Sequence, residues 1–263
     1  VRSYTHTLQW SQQQGGDDRA SPRYEDSLTS RNNNNKKPTL IAGNWKLNPN
    51  TISEASNLLK LLVSNFVNHR VEWNPDLPEV VIFPPLPFLS LALAEFDGTG
   101  IKVGAQTVGI HSSGAFTGEV SASMIRSMGC DYVLVGHSER RSLFQERDEQ
   151  INQKIHRCLE QANLNIILCV GETEQEYSSN LMSTVIDLQI KKGLAGVSAT
   201  AMDRIVIAYE PVWAIGTGKV AKPEQANKAH QAVRKSLKDM FGERVANACR
   251  IQYGGSVTPE NVV

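Results

Sequence analysis

The sequence predicts an α/β protein whose parallel strands close into a (β/α)8 barrel. Short β-branched or aliphatic runs recur through residues 38–263 at spacings of about 20 to 46 residues, with amphipathic stretches between most of them. Such spacings demand parallel βα units, because antiparallel neighbours need only short hairpins. The runs are also nearly continuous in apolar residues, the pattern of strands buried on both faces. An open doubly wound sheet satisfies the same alternation. Its dinucleotide-binding form, however, carries Gly-x-Gly-x-x-Gly after the first strand, and here Gly43-Asn44-Trp45-Lys46 follows instead. The barrel is favoured, and barrels place their chemistry at the carboxyl ends of the strands.

The predicted strands are residues 39–42, 79–83, 101–104, 132–135, 165–170, 204–209 and 250–253. A first helix over 53–65 sets Ala55, Leu58, Leu59, Leu62 and Val63 on one face behind Ser53 as cap. A second, over 151–162, does so with Ile151, Ile155, Cys158 and Leu159, and Asp148 is its expected cap. A third, over 223–241, aligns Ala226, Ala229, Val233, Leu237 and Met240. Pro223 opens it, where a missing N–H costs nothing, and Gly242 closes it. Only seven strand runs are counted, so the barrel is expected to be truncated before its eighth βα unit, a deficit of roughly 25 to 30 residues. The first and seventh strands would then be open edges.

Composition narrows the function. Lys+Arg and Asp+Glu both number 27, which removes the electrostatic case for a nucleic-acid or anionic-membrane partner. No window approaches eighteen consecutive apolar residues, so no membrane helix is expected. Cys130, Cys158, Cys169 and Cys249 form no Cys-x-x-Cys pair and read as buried reduced thiols rather than a metal site. Gly218-Lys219 is not a phosphate-binding P-loop, because Trp213 stands where its first glycine belongs and Val220 where a hydroxyl should bind magnesium. Residues 1–37 hold Gln12-Gln13-Gln14, Gly15-Gly16 and four asparagines from Asn32 to Asn35, with few aliphatic residues, and are expected to be disordered. Their serines and arginines suggest a targeting remnant, against which Asp17, Asp18, Glu25 and Asp26 argue. Residues 38–263 form the barrel domain.

The strand ends carry the candidate chemistry. Asn44 and Lys46 follow the first strand two residues apart, facing one side of an extended chain. A cation there either meets an anion or snorkels to the surface. The fourth strand runs into Gly136-His137-Ser138-Glu139-Arg140-Arg141. A lone histidine such as His137 at a strand end is more often a hydrogen-bonded structural residue than a functional one. Ser138 is no nucleophile elbow, since Arg140 replaces the last glycine. The sixth strand ends in Glu210, which Pro211 forces into an extended conformation that aims the carboxylate, as a general base or as a salt-bridged strand-end acid. Ala214-Ile215-Gly216-Thr217-Gly218-Lys219 suits a hinged lid carrying a backbone N–H to an anion, and Tyr253-Gly254-Gly255-Ser256 offers small residues, a hydroxyl and free donors for a phosphate. On one rim these imply a small phosphorylated carbonyl substrate.

Gly43-Asn44-Trp45-Lys46, Gly114-Ala115-Phe116-Thr117-Gly118-Glu119, Gly136-His137-Ser138-Glu139-Arg140-Arg141, the run from Tyr209 to Gly218 and Tyr253-Gly254-Gly255-Ser256-Val257 resemble the triosephosphate isomerase family, in its order and spacing. The resemblance implies a TIM barrel that interconverts dihydroxyacetone phosphate and D-glyceraldehyde 3-phosphate, in glycolysis and gluconeogenesis, with no cofactor and no metal. Glu210 would move the proton, and a neutral His137 would polarise the carbonyl. Lys46 would offset phosphate and enediolate charge, Asn44 would orient the oxygen, and Glu139 would bond near Lys46. Gly216, Gly255 and Ser256 would hold the phosphate. The loop of residues 114–119 would insert into a partner subunit, giving a homodimer. The family continues past Val263 with an eighth strand, a phosphate turn and a last helix, so the chain is expected to be a fragment of a longer reading frame. The alternative is a truncated, inactive fragment acting as an interaction protein, against which Asn44, Lys46, His137 and Glu210 argue. A cytoplasmic location is expected, or the plastid or mitochondrial matrix if residues 1–37 are a targeting remnant.

Overall fold

The computed structural model describes residues 37–69, 78–217 and 219–257. The expectations for the extension before Lys37 and for Gly218 in the lid fall outside the described residues. Among the described residues seven strands stand in sequence order, each parallel to the next: β1 (Leu40–Asn44), β2 (Glu79–Phe83), β3 (Lys102–Ala105), β4 (Tyr132–Val135), β5 (Asn165–Val170), β6 (Ile205–Tyr209) and β7 (Arg250–Tyr253). They form a nearly closed TIM barrel. The registers advance steadily, from Leu40 opposite Glu79 to Tyr209 opposite Tyr253. The helices are α1 (Ile52–His69), α2 (Leu89–Glu95), α3 (Ala122–Ser127), α4 (Ser138–Leu143), α5 (Asp148–Arg157), α6 (Glu174–Ser178), α7 (Met182–Gly193), α8 (Pro223–Phe241) and α9 (Glu243–Ala248). Among the described residues the sheet runs from β1 to β7.

Alternation along each strand builds two cores. Leu40, Val81, Phe83, Tyr132, Leu134, Ile167, Cys169, Val206 and Ala208 pack into one another inside the barrel. Their strand neighbours Ile82, Val133, Val135, Ile166, Leu168, Ile205 and Ile207 face outward, against Leu59, Leu89, Ile151, Ile186, Ile190, Val233 and Leu237 of the helices. That double burial is why the strand sequences show no polar alternation. All four cysteines are free and buried, and burial pushes the Cys158 thiol up to about 12 and that of Cys249 up to about 11. They are poor nucleophiles accordingly.

Two expected caps are corrected. Thr51, not Ser53, caps α1: its hydroxyl accepts from Glu54 N–H at 3.2 Å while the Glu54 carboxylate accepts from Thr51 N–H at 3.0 Å. This is the reciprocal Thr-x-x-Glu box, and it places Ser53 inside the helix. Asp148 is the first residue of α5 rather than its cap, because Arg141 takes its carboxylate at 2.6 Å. The helix predicted over 151–162 is two pieces, α5 and a wider π turn over Cys158–Ala162 closed by left-handed Asn163.

At the amino ends of the strands lies a polar lattice inside the barrel. Arg250 of β7 bonds Glu79 of β2 at 2.6 Å and the Tyr132 hydroxyl of β4 at 3.0 Å. Lys102 of β3 pairs with Glu79 from the other side at 2.6 Å. Burial alone would push the Glu79 carboxyl up, but these bonds outweigh it and hold the group below its ordinary range. The opposite end of the barrel is left for chemistry.

Candidate active site

At the carboxyl end of β1 the chain adopts a costly conformation. Lys46 has φ +54°, in the left-handed region that a side-chain-bearing residue adopts only when its surroundings enforce it. Asn44 supplies part of the enforcement, its side-chain oxygen accepting from Lys46 N–H at 2.9 Å. Gln106, beyond β3, supplies the rest by donating to Lys46 C=O at 2.8 Å and to Phe83 C=O at 2.9 Å. The Lys46 ammonium meets the Glu139 carboxylate of α4 at 2.7 Å.

His137 stands at the turn from β4 into α4. Its Nδ1 accepts from Glu139 N–H at 3.2 Å, which requires a lone pair there. The ring proton of such an imidazole sits on Nε2, and Nε2 lies 3.4 Å from Glu210 Oε1. Glu210 follows β6 and is only 4% exposed. Its N–H donates to Val170 C=O at 2.8 Å, and its other oxygen accepts from Ser138 N–H at 2.8 Å. Gly254 makes room for it, since a Cβ there would stand 3.0 Å from Glu210 Cγ. Carboxylate, imidazole and cation thus come from three different strand ends.

They share one cavity of about 370 Å³, whose lining includes Asn44, Lys46, His137, Glu210, Gly255 and Ser256 over an apolar floor of Phe83, Leu134 and Ile167. Cavities of roughly 300 to 1,000 Å³ hold small organic ligands. Glu139 stays outside the lining and touches it through Lys46 and His137. Gly216 is exposed, with φ +71°, and Ile215 lines the wall in its place. Residues 114–119 are exposed on a loop where Phe116 stacks on His111 at 3.5 Å between ring centroids.

Around the segment after Pro211 lies a group that the strand-end reading missed. Glu172, just past β5, is fully buried, and one of its oxygens accepts from Trp213 Nε1 at 2.8 Å and from Tyr209 OH at 2.9 Å. Burial pushes its carboxyl up, and these bonds offset that only in part. Trp213 also stacks on Tyr177 of α6 at 4.4 Å, and Lys219 pairs with Glu174 at 3.2 Å. Glu172 sits one residue after a glycine at a strand end, the same address as His137, and that signal could have found it. Ser138 N–H and Gln106 carry no such signal, because they act through backbone geometry and a distant loop.

The family described as Triosephosphate isomerase matches this chain over residues 39–263. Relatives bearing the same name include one from Chloroherpeton thalassium, 44% identical over 226 residues, covering 84% of this chain and 85% of the relative. One from Carboxydothermus hydrogenoformans is 44% identical over 229 residues, covering 86% and 87%. One from Syntrophotalea carbinolica is 45% identical over 225 residues, covering 84% and 85%. With a barrel of parallel strands and a carboxylate, an imidazole and a lysine on its carboxyl rim, the chain belongs to the triosephosphate isomerase family and is an isomerase.

Proposed function

We propose that this chain interconverts dihydroxyacetone phosphate and D-glyceraldehyde 3-phosphate through an enediolate, with Glu210 as base. The observation that carries this is the buried Glu210 carboxylate 3.4 Å from His137 Nε2, in a cavity that Lys46 also lines. Glu210 removes a proton from the carbon beside the carbonyl; the C–H pair forms the double bond between the two carbons, and the carbonyl π pair moves onto its oxygen. His137, with its proton on Nε2, donates to that oxygen and takes the proton of the neighbouring hydroxyl in exchange, while Glu210 returns its proton to the former carbonyl carbon. The net change is one hydrogen moved between the two carbons and one between the two oxygens, which consumes no oxidant or cofactor. Lys46 opposes the charge that develops on oxygen, and Asn44 orients the same oxygen. The backbone N–H groups near Gly216, Gly255 and Ser256 hold the phosphate.

The partner surface is the exposed loop of residues 114–119, which joins two copies as a homodimer. Among the described residues no helix is long and apolar enough to cross a membrane. The cytoplasm, where glycolysis and gluconeogenesis exchange triose phosphates, is the compartment we assign. Glu210→Asp tests the reading in a coupled assay run in both directions. One methylene less withdraws the carboxylate by about an ångström, so turnover should fall by about 10²-fold or more with little change in KM. Near-normal turnover in a folded variant would remove Glu210 as base.

A further inference from the structure

The carboxyl end of β5 is gripped from outside the barrel by a side chain that never reaches the cavity. Gln189 lies on α7, between the buried Ile186 and Ile190 that anchor that helix to the barrel. Its amide oxygen accepts from Gly171 N–H at 2.8 Å, and its amide nitrogen donates to Gly171 C=O at 3.1 Å. Both ends of one amide therefore hold both polar groups of one residue. That pairing permits neither a slide of Gly171 along the strand direction nor a rotation of its peptide planes without breaking a bond.

On its other side Gly171 is pressed against the backbone of Glu210. A Cβ at Gly171 would fall 1.7 Å from Glu210 C=O oxygen and 2.7 Å from its carbonyl carbon, so nothing larger than hydrogen separates the two chains. The preceding residue completes the contact, Val170 C=O accepting from Glu210 N–H at 2.8 Å. A continuous mechanical path thus runs from α7 through the Gln189 amide and Gly171 to the Cα of Glu210. It contains no flexible side chain other than the amide, whose two bonds immobilise it. A lysine or glutamate would serve equally well at that position if a solvated helix face were all that was required.

We propose that Gln189 is a positioning residue for Glu210: through Gly171 it fixes where the backbone of the base stands, and so the reach of the carboxylate. This rests on the reading of Glu210 as base. Glu210 itself holds the carboxylate against Ser138 N–H, and Gln189 holds the platform from which it does so.

The test is steady-state kinetics on the full chain carrying Gln189→Met or Gln189→Glu, alone and combined with Glu210→Asp. Methionine keeps length and volume and loses both bonds, and glutamate keeps the acceptor for Gly171 N–H. Because an ångström at the base is worth about 10²-fold and this shift is a fraction of that, Gln189→Met should lower kcat about tenfold with KM within about twofold. Gln189→Glu should recover only part of the loss, because it keeps the bond from Gly171 N–H but sets an oxygen without a hydrogen against Gly171 C=O. In the Glu210→Asp background, where the carboxylate is already misplaced, Gln189→Met should cost less than about twofold, because the two changes act on one distance. Unchanged kcat in folded Gln189→Met, or a full tenfold loss persisting on top of Glu210→Asp, would overturn the proposal. So would loss of the folded state in both single variants, since the amide would then be holding the barrel and not the base. A normal turnover for Glu210→Asp alone would instead defeat the reading of Glu210, which keeps the two failures apart.

Discussion

Gly171→Ala probes the spacing between β5 and β6 at the level of the base. The φ of Gly171 is not in the left-handed region, so alanine meets no torsional objection there and only space opposes it. The added methyl would begin 1.7 Å from the Glu210 carbonyl oxygen, whereas ordinary contact begins at 3.4 Å. The obstacle is backbone and cannot rotate aside. β5 and β6 must therefore part by well over an ångström at their carboxyl ends, which breaks the 2.8 Å bond from Glu210 N–H to Val170 C=O. A displacement of about an ångström at a reacting group costs about 10²-fold, and the loss should appear in kcat because the residues proposed to hold the phosphate are untouched. Overpacking of this kind also costs about 1 to 3 kcal/mol of stability. For a chain of this size that lowers Tm by roughly 2 to 12 °C. The measurements are a coupled assay with each triose phosphate and a thermal melt followed by circular dichroism. A variant with kcat within twofold of the parent and an unshifted Tm would refute the argument, because it would mean that the strands can part without moving the base.

Lys46→Met keeps the aliphatic stem and removes the charge, so affinity for a phosphate analogue and turnover should both collapse, while Lys46→Arg should rescue only in part because a planar fork does not replace a point charge. Unchanged analogue affinity in Lys46→Met, measured by calorimetry, would count against the role of the lysine. Arg250→Met should cost about 3 kcal/mol at neutral pH, the low end for breaking a buried pair, since Lys102 remains on Glu79. The Glu79 carboxyl is held below its ordinary 4.5, so the stability it contributes is complete above that pH and is lost as pH falls through the folded value. The Tm gap between parent and Arg250→Met should accordingly narrow below pH 4.5, and a gap constant with pH would show that Glu79 is not its source.

The strands were legible because burial on both faces leaves a run with no polar interruption, and all seven predicted runs fall within about two residues of β1 to β7. The bounds of α8 were equally plain, since Pro223 and Gly242 punctuate it. The short helices α3, α4 and α6 were not, because six residues or fewer cannot display a periodicity. α7 shows Met182, Ile186 and Ile190 at helical spacing, and the sequence would have supported it. In the site, residue types at strand ends pointed to Lys46, His137 and Glu210. What no local pattern contains is the long-range enforcement: Gln106 reaching back 60 residues to hold a left-handed Lys46, or Ser138 N–H reaching across 72 to hold Glu210. These depend on which strands become neighbours, and that is settled only when the sheet curves.

The Arg250–Glu79 pair has a kinetic consequence. It joins residues 171 apart, whereas neighbouring strands meet over short βα connections, as where Val81 lies opposite Lys102. Loop closure grows with the logarithm of length, so bringing Arg250 to Glu79 before the intervening strands have assembled would cost about 2 kcal/mol more entropy than a single βα step. A transition state built by adding adjacent units would leave the pair to form afterwards, on ground already prepared. Interactions made after the barrier leave the rate of folding untouched and slow the rate of unfolding. On that order, the Arg250 bonds at the foot of the barrel would set how long the fold persists once made rather than how quickly it is reached.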